Sequence, residues 1–280
     1  MPVGSISDAE DVLQEASVRW STQSVAANST RAFLTTVVTR LSLDLLKSAR
    51  VRRESYVGPW LPEPLIATWA ETPGVTQSPE DRLALTESLS LAFLVLLERL
   101  SPLERGAFLL REVFDHDYVD VARILGLSEA ACRQLVARAR SHIDDGRPRF
   151  GASEQEQRRL LGAFLSACAS GDAAALGRML ASNVVARSDG GGKVTAALQP
   201  IVGADRVARF LIGISAKISL DVSTEIARVN GDLGLLVRVA GVLRAVIAVH
   251  LSAGSSGSID EVFLVMNPDK LTPKGHHHSG

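Results

Sequence analysis

The stretch from Tyr118 to Arg140 constrains the fold more than any other part of the sequence, because it predicts two short helices joined by a tight turn. Gly126 can adopt the left-handed backbone that ends a helix, and Ser128 is placed to cap the next one. In the second helix the apolar residues recur at i, i+4, i+7 and i+11, as Cys132, Val136, Ala139 and Ile143. The pattern therefore predicts a helix-turn-helix.

The outward face of the second helix carries groups suited to DNA. Arg133 and Gln134 lie where a recognition helix meets base edges, and guanidinium and carboxamide groups form the paired hydrogen bonds that purines present in the major groove. Arg138 and Arg140 are better placed for phosphates, and Ala131 shares the outward face. A plain helical hairpin with a solvated basic face is the alternative. The turn chemistry and the supporting helices favour DNA binding.

Residues 31–53 form a second charged region, with six basic residues against Asp44 alone, a net charge of six minus one, or plus five. The candidate nucleic-acid-binding residues here are Phe33, Thr36, Arg40 and Lys47. A ring, a hydroxyl and positive charges together suit phosphates and unstacked bases. A solvated basic helix is the alternative, and Phe33 taken alone fits a core position better.

Breaks in the pattern divide the chain into several units. Residues 55–78 are rich in proline and glycine, so they predict a linker between two helical units, the second of which opens at Ser78-Pro79-Glu80-Asp81. Ser101 begins a capping box within that second unit. After residues 144–148 two more helices precede valine-rich strands, with a hairpin at Asn230-Gly231 and a helix near 205–217. The C-terminal unit is therefore predicted to be α+β.

Bulk properties exclude several classes of protein. The formal net charge is −1, so nucleic-acid binding must come from local clusters. Cys132 and Cys168 lack the spacing of a disulfide framework or a zinc site, and we expect neither a metal nor a cofactor. The sequence shows no leader and no span long enough for a membrane. We expect a cytoplasmic protein without membrane contact, and a flexible tail at residues 273–280.

These segments together resemble the extracytoplasmic-function (ECF) sigma factors of bacterial RNA polymerase. Residues 8–16, Asp-Ala-Glu-Asp-Val-Leu-Gln-Glu-Ala, look like the acidic helix of sigma region 2 that docks on the polymerase. The basic region looks like the helix that binds the promoter −10 element, and the helix-turn-helix falls where region 4 binds the −35 element. The resemblance implies polymerase-binding roles for Asp8, Asp11, Gln14 and Glu15. The family has another helix before this motif, so region 2 is expected to be N-terminally incomplete.

Three further motifs are similar to those of the sigma subgroup that carries a C-terminal SnoaL-like domain. They are the linker motif Trp60-Leu61-Pro62-Glu63-Pro64, the glycine motif Asp189-Gly190-Gly191-Gly192-Lys193 and the C-terminal motif Asn267-Pro268-Asp269-Lys270-Leu271. The resemblance implies that they meet at an interdomain regulatory interface. A hairpin tip is the alternative for the three glycines, and a phosphate-binding loop is poorly supported because no Gly-Lys-Ser/Thr sequence follows.

The resemblance implies a multidomain, non-enzymatic sigma factor that acts with core RNA polymerase on promoter DNA. Its domains are expected at residues 1–54 (region 2), 55–78 (linker), 79–147 (region 4) and 153–272 (the SnoaL-like domain). Regions 2 and 4 are all-α, and the SnoaL-like domain is an α+β cone with a curved antiparallel sheet that tunes activity in cis. Two alternatives stay open: a regulator with a small-molecule ligand in the SnoaL-like pocket and, less favoured, an enzyme. His250 is expected to be structural, since no His-Asp pairing is evident from the sequence.

Overall fold

A computed structural model of the chain describes residues 5–22, 29–66, 90–143, 153–217, 221–251 and 258–271. The chain divides into two compact units, one formed by residues 1–55 and 94–147 and the other by residues 56–93 and 148–280. Among the described residues, no helix is both long and apolar enough to cross a membrane. The predicted helix start at 78–81, the break at 144–148 and the tail at 273–280 lie outside the described residues.

The first unit is helical, and its helices begin and end close to the predicted positions. Local rules explain the boundaries: Ser101 forms the predicted capping box with Glu104, and Gly126 ends a helix at φ +69°. The predicted helix from Ser101 to Val113 changes to a π-helical turn over its second half, Leu109–Val113. The helices are α1 (Ile6–Ser21), α2 (Thr30–Glu54), α3 (Leu91–Leu97, whose first three residues are assigned to the second unit), α4 (Pro102–Phe108), α5 (Tyr118–Leu125) and α6 (Glu129–Ile143).

The second unit is α+β, with helices packed on one face of a six-stranded sheet. The strands lie in the order β2-β1-β6-β5-β4-β3, and every neighbouring pair is antiparallel except β1 and β6, which are parallel. The elements are α7 (Glu154–Ser170), α8 (Ala173–Met179), β1 (Leu180–Asp189), β2 (Ile201–Val202), α9 (Ala204–Ser215), β3 (Val222–Val229), β4 (Asp232–Val239), β5 (Val242–Leu251), β6 (Ile259–Val265) and α10 (Pro268–Leu271).

Turn chemistry fixes the strand order at one side of this sheet. The predicted hairpin at Asn230-Gly231 joins β3 to β4, and both residues have positive φ, as a two-residue hairpin turn requires. A second turn of this kind, at Ala240-Gly241, joins β4 to β5 and has no Asn-Gly or Asp-Gly pair in the sequence. Alternate residues of the strands face α7 and α9, where Phe164, Leu211, Leu235 and Leu264 are buried in one core.

Candidate DNA-binding surfaces and the linker junction

The helix-turn-helix has the geometry that its sequence predicts. Cys132, Val136, Ala139 and Ile143 are all buried on the inner face of α6, whereas Arg133 and Gln134 are exposed. Ser128 caps α6 by accepting a hydrogen bond from the backbone N–H of Ala131. The two residues expected to contact base edges therefore lie side by side on a solvent-facing helix surface.

Each arginine of α6 has a carboxylate partner in this structure. Arg133 donates to Glu129 at 2.8 Å on its own helix, Arg138 to Glu104 at 3.0 Å, and Arg140 to Glu112 at 2.7 Å. The pair of Arg138 connects α6 to α4, and the pair of Arg140 connects it to the π-helical turn Leu109–Val113. Their side chains stay half-exposed, which leaves their predicted phosphate contacts sterically open.

Tyr118 supports Arg133 from outside α6. The Arg133 guanidinium lies 4.9 Å from the centre of the Tyr118 ring, and the guanidinium of Arg111 lies 5.3 Å from the same centre. A ring face attracts a cation and restricts its movement. Arg133 is thus held by Tyr118 and by Glu129, a support that periodicity alone did not reveal because Tyr118 lies 15 residues earlier.

The candidate residues of α2 differ in their surroundings. Phe33 is half-buried and its ring packs against Trp20 at 5.7 Å between centroids, in keeping with a core role. Thr36 donates to the carbonyl of Ala32 on its own helix, and Arg40 donates to the carbonyl of Ile124 at 3.1 Å. Lys47 is exposed and pairs with Asp44 at 3.1 Å. A DNA-binding role for these four residues stays a prediction.

The acidic residues of α1 lie at the helix surface. Ser5 caps α1 through the backbone N–H of Asp8, and Asp11, Gln14 and Glu15 are exposed. Positions 8, 11 and 15 follow helical spacing, so the three carboxylates share one face. This face is available for the polymerase contact that the resemblance implies, and that contact stays a prediction.

The linker motif, the glycine motif and the C-terminal motif come together within the α+β unit around the buried carboxylate of Asp189. One Asp189 oxygen, Oδ1, accepts from the Tyr56 hydroxyl at 2.6 Å and from the backbone N–H of Gly191 at 3.0 Å. The other, Oδ2, accepts from the backbone N–H of Leu61 at 2.8 Å and from Lys270 Nζ at 2.6 Å. We call this group the linker junction; it consists of Tyr56, Trp60, Leu61, Asp189, Gly191, Asn267 and Lys270.

Lys270 is the second centre of the linker junction. Its Nζ also donates to the carbonyl of Leu61 at 2.5 Å and lies 4.2 Å from the Trp60 ring centre and 5.1 Å from that of Tyr56. Asn267 donates to the Tyr56 hydroxyl at 2.9 Å. Burial, followed by the bond to Asp189, raises the pKa of Tyr56, so this hydroxyl stays a donor at neutral pH.

The remaining motif residues support the linker junction at its edges. Lys193 pairs with Asp269 at the surface, and Pro62 and Pro64 are buried while Glu63 is partly exposed. Gly191 has φ +60°, and a Cβ there would lie 2.3 Å from Asn267 Nδ2, so the glycine is needed for close approach. The linker is also held at Leu65, whose carbonyl accepts a hydrogen bond from the backbone N–H of Asn230 at 2.9 Å.

Tyr56 and the pair formed by His250 and Asp260 were missed in the sequence. Tyr56 lies just before the linker motif, and nothing in its local pattern indicates a partner 133 positions away. His250 is buried, and its Nδ1 lies 2.5 Å from Asp260 Oδ1. A bulge between β5 and β6 sets that approach, and a bulge has no reliable sequence signal.

Comparison with known proteins identifies the family. A family model for sigma-70 region 4 matches residues 90–143. The ECF RNA polymerase sigma factor SigJ of Mycobacterium tuberculosis is 35% identical over 277 residues, covering 96% of this chain and 87% of SigJ. The chain belongs to the ECF sigma factors. Probable sigma factor SigI of the same organism is 34% identical over 275 residues, covering 97% of this chain and 89% of SigI.

The crystal structure of the extracytoplasmic-function sigma factor SigJ has the same architecture as this sigma factor. It superimposes with a TM-score of 0.73 at 33% identity, covering 95% of this chain and 90% of that one. The predicted family and the predicted fold class, helical regions followed by an α+β domain, are thus confirmed. Sigma factors act in transcription initiation and are not enzymes, so the predicted class of function is confirmed as well. The domain boundaries and the site residues stay predictions.

Proposed function

We propose that this sigma factor directs core RNA polymerase to its promoters from the cytoplasm, with α6 reading the −35 element and α2 contacting the −10 element. The observation that supports it best is the surface of α6, where Arg133 and Gln134 are exposed on a helix whose inner face is fully packed. A recognition helix needs this combination of a fixed position and solvent-facing polar side chains. Acidic residues of α1 supply the face that docks on the polymerase.

We further propose that the C-terminal domain tunes initiation in cis by holding the linker. The linker connects the two predicted DNA-binding regions, and the α+β unit binds it both at Asp189 and at Asn230. When residues 56–66 are held in one conformation, this part of the linker no longer adds conformational freedom between the two DNA-binding regions. The C-terminal domain thereby sets how independently the two regions engage a promoter.

Run-off transcription with core RNA polymerase tests the first proposal. Promoters are selected from a randomised library with the unmodified chain, and Arg133→Ala is compared on the selected sequence. A bidentate contact to a guanine contributes about 1–3 kcal/mol, so transcription should fall by about 5- to 150-fold. Arg209→Ala removes an exposed arginine of α9 and is the control. Promoter-independent transcription by the unmodified chain, or equal output from Arg133→Ala, contradicts the proposal.

A second candidate function is a response to a small molecule, and a cavity in the C-terminal domain favours it. The cavity has a volume of about 530 Å³ and lies between α7, α9 and the sheet. We propose that a ligand bound there changes initiation through the linker junction. The test is run-off transcription with and without small molecules that bind the purified protein; output unaffected by any bound compound contradicts this function.

A further inference from the structure

The cavity of the C-terminal domain has the size and the apolar interior of a ligand site. Its floor is formed by Phe164 of α7, Leu211 of α9, Val237 of β4 and Leu264 of β6, all of them buried. Cavities that hold small molecules in proteins span about 300 to 1,000 Å³ and are lined mainly by apolar side chains. The volume of about 530 Å³ is within that range.

Polar groups of the cavity lie toward its mouth and are uncharged. Ser166 and Thr224 are exposed, and Ser215 is partly exposed, so three hydroxyls line the outer part. Cys168 also lines the cavity, and burial raises the pKa of its thiol to about 11, which keeps the thiol protonated at neutral pH. Every described residue that lines the cavity is therefore neutral under physiological conditions.

Charged groups near the sheet are paired: Arg187 with Glu261 on the face away from the cavity, and Arg228, on the cavity face of β3, with Glu154 of α7. Arg187 also contacts the ring of Phe263. Leu264, which follows Phe263 in β6, faces the cavity instead. Side chains alternate between the two faces of a strand, so the charges of Arg187 and Glu261 are separated from the cavity by the sheet. A buried charge without a partner is strongly unfavourable, so an ionised ligand would bind poorly.

We infer that the cavity binds an uncharged, mainly apolar small molecule whose one or two hydrogen-bonding groups lie at the mouth among Ser166, Ser215 and Thr224. This inference rests on the proposed function, in which the cavity is a regulatory site. The described lining residues include no group that titrates near neutral pH, so general acid-base chemistry has no residue to perform it there. The cavity binds its ligand without converting it.

Strand β6 connects the cavity to the linker junction. Leu264 belongs to the cavity floor, and two residues later Met266 donates its backbone N–H to the carbonyl of Asp189 at 2.8 Å. Asn267 and Lys270 follow in the same segment and hold the linker. We expect a ligand that packs on Leu264 to stabilise the end of β6, from which the linker junction is built. Such a ligand would bind more tightly when the linker is held than when it is released.

A matched pair of fluorescent probes tests the chemical class of the ligand on the full chain. N-phenyl-1-naphthylamine is uncharged, and 1-anilinonaphthalene-8-sulfonate has the same rings with one added sulfonate. The neutral probe should bind with one-to-one stoichiometry, and the sulfonate should bind at least 10-fold more weakly. Ser166→Trp narrows the mouth and should weaken binding of the neutral probe at least 10-fold, whereas Ala163→Trp, at an exposed position of α7 outside the cavity, should not.

Several results overturn the inference. They are no binding of the neutral probe, equal binding of the sulfonate, or equal binding of the neutral probe to Ser166→Trp in protein shown to be folded by circular dichroism. Run-off transcription with the neutral probe separates this inference from the proposed function. One-to-one binding that leaves transcription unchanged supports the ligand class but contradicts regulation through the cavity. If the neutral probe does not bind but linker-junction variants still alter transcription, the inferred ligand class is wrong and the proposed control through the linker junction stands.

Discussion

Lys270 donates a hydrogen bond from Nζ to Asp189 Oδ2 at 2.6 Å, although the two residues lie 81 positions apart in the chain. The Lys270 side chain is 12% exposed and that of Asp189 is fully buried. Burying both charges has a large desolvation cost, which is offset here by the bonds that Tyr56 and Leu61 make to the same pair. Both members of the pair therefore contribute to holding the linker, Asp189 through Tyr56 and Leu61 and Lys270 through the Leu61 carbonyl.

Removing one charge of this pair should destabilise the C-terminal domain. Lys270→Met leaves the buried Asp189 carboxylate without its cation, and we expect a loss of about 3–5 kcal/mol in the free energy of unfolding, measured by urea denaturation. Lys193→Met removes a lysine from the exposed pair with Asp269 and should cost at most about 1 kcal/mol. Equal effects of the two substitutions would show that the buried pair has no special role.

A methyl group at Gly191 should disrupt the linker junction by a different route. Gly191→Ala puts a side chain at φ +60° and within 2.3 Å of Asn267 Nδ2. We therefore expect the free energy of unfolding, measured by urea denaturation, to fall by about 1–3 kcal/mol. Gly177→Ala, in α8, meets no neighbour within 4 Å and should be stabilising by up to about 1 kcal/mol. A Gly191→Ala protein as stable as the unmodified chain would contradict the geometry described here.

The ion pair of Glu104 predicts a loss of stability in acid. Burial alone would raise the pKa of Glu104, but hydrogen bonds from Ser101 and the charge of Arg138 outweigh it and hold that pKa below its ordinary value of 4.5. A carboxyl with a lowered folded-state pKa stabilises the fold above pH 4.5, and this contribution disappears as the pH falls through the folded-state pKa. The stability difference between the unmodified chain and Glu104→Gln should therefore be larger at pH 7 than at pH 3.5. A difference independent of pH would contradict this assignment.

The Tyr118 ring should contribute to promoter discrimination through Arg133. Tyr118→Leu removes the ring that lies 4.9 Å from the guanidinium, and loss of an exposed cation–π contact of about 0.5–1 kcal/mol corresponds to a two- to five-fold loss of discrimination. The measurement is competitive run-off transcription between the selected promoter and one altered at its −35 element. Tyr118→Phe keeps the ring and should behave like the unmodified chain; discrimination unchanged in Tyr118→Leu would rule out this support.

Local features of the fold could be predicted from sequence, whereas pairings between distant segments could not. Helices α5 and α6 and the hairpin at Asn230-Gly231 follow from apolar spacing, caps and turn residues, all of which act within a few positions. The parallel pairing of β1 with β6 depends on segments about 75 residues apart, for which periodicity carries no information. The sequence predicted an antiparallel sheet, and the parallel pair of β1 and β6 departs from that prediction.

The candidate site shows the same division. The three motifs of the linker junction were recognised by resemblance, but their sequences do not indicate that Asp189 accepts from Tyr56 or that Lys270 bonds to Leu61. Likewise, Arg133 was placed on the outward face by helical spacing, while its support by Tyr118 depends on how two helices pack. Residue types were predictable, and their partners required the tertiary structure.

The most direct test of cis control is run-off transcription on promoters whose −35 to −10 spacing is changed by one or two base pairs in either direction. The unmodified chain, Lys270→Met and Lys193→Met are compared with core RNA polymerase at a temperature where all three are folded. If the linker junction restrains the two DNA-binding regions, the unmodified chain and Lys193→Met will transcribe best at the same spacing and much less at the others. In Lys270→Met the ratio of output at the best spacing to output at the altered spacings will be at least three-fold smaller. An identical spacing profile and output for Lys270→Met would contradict control through the linker.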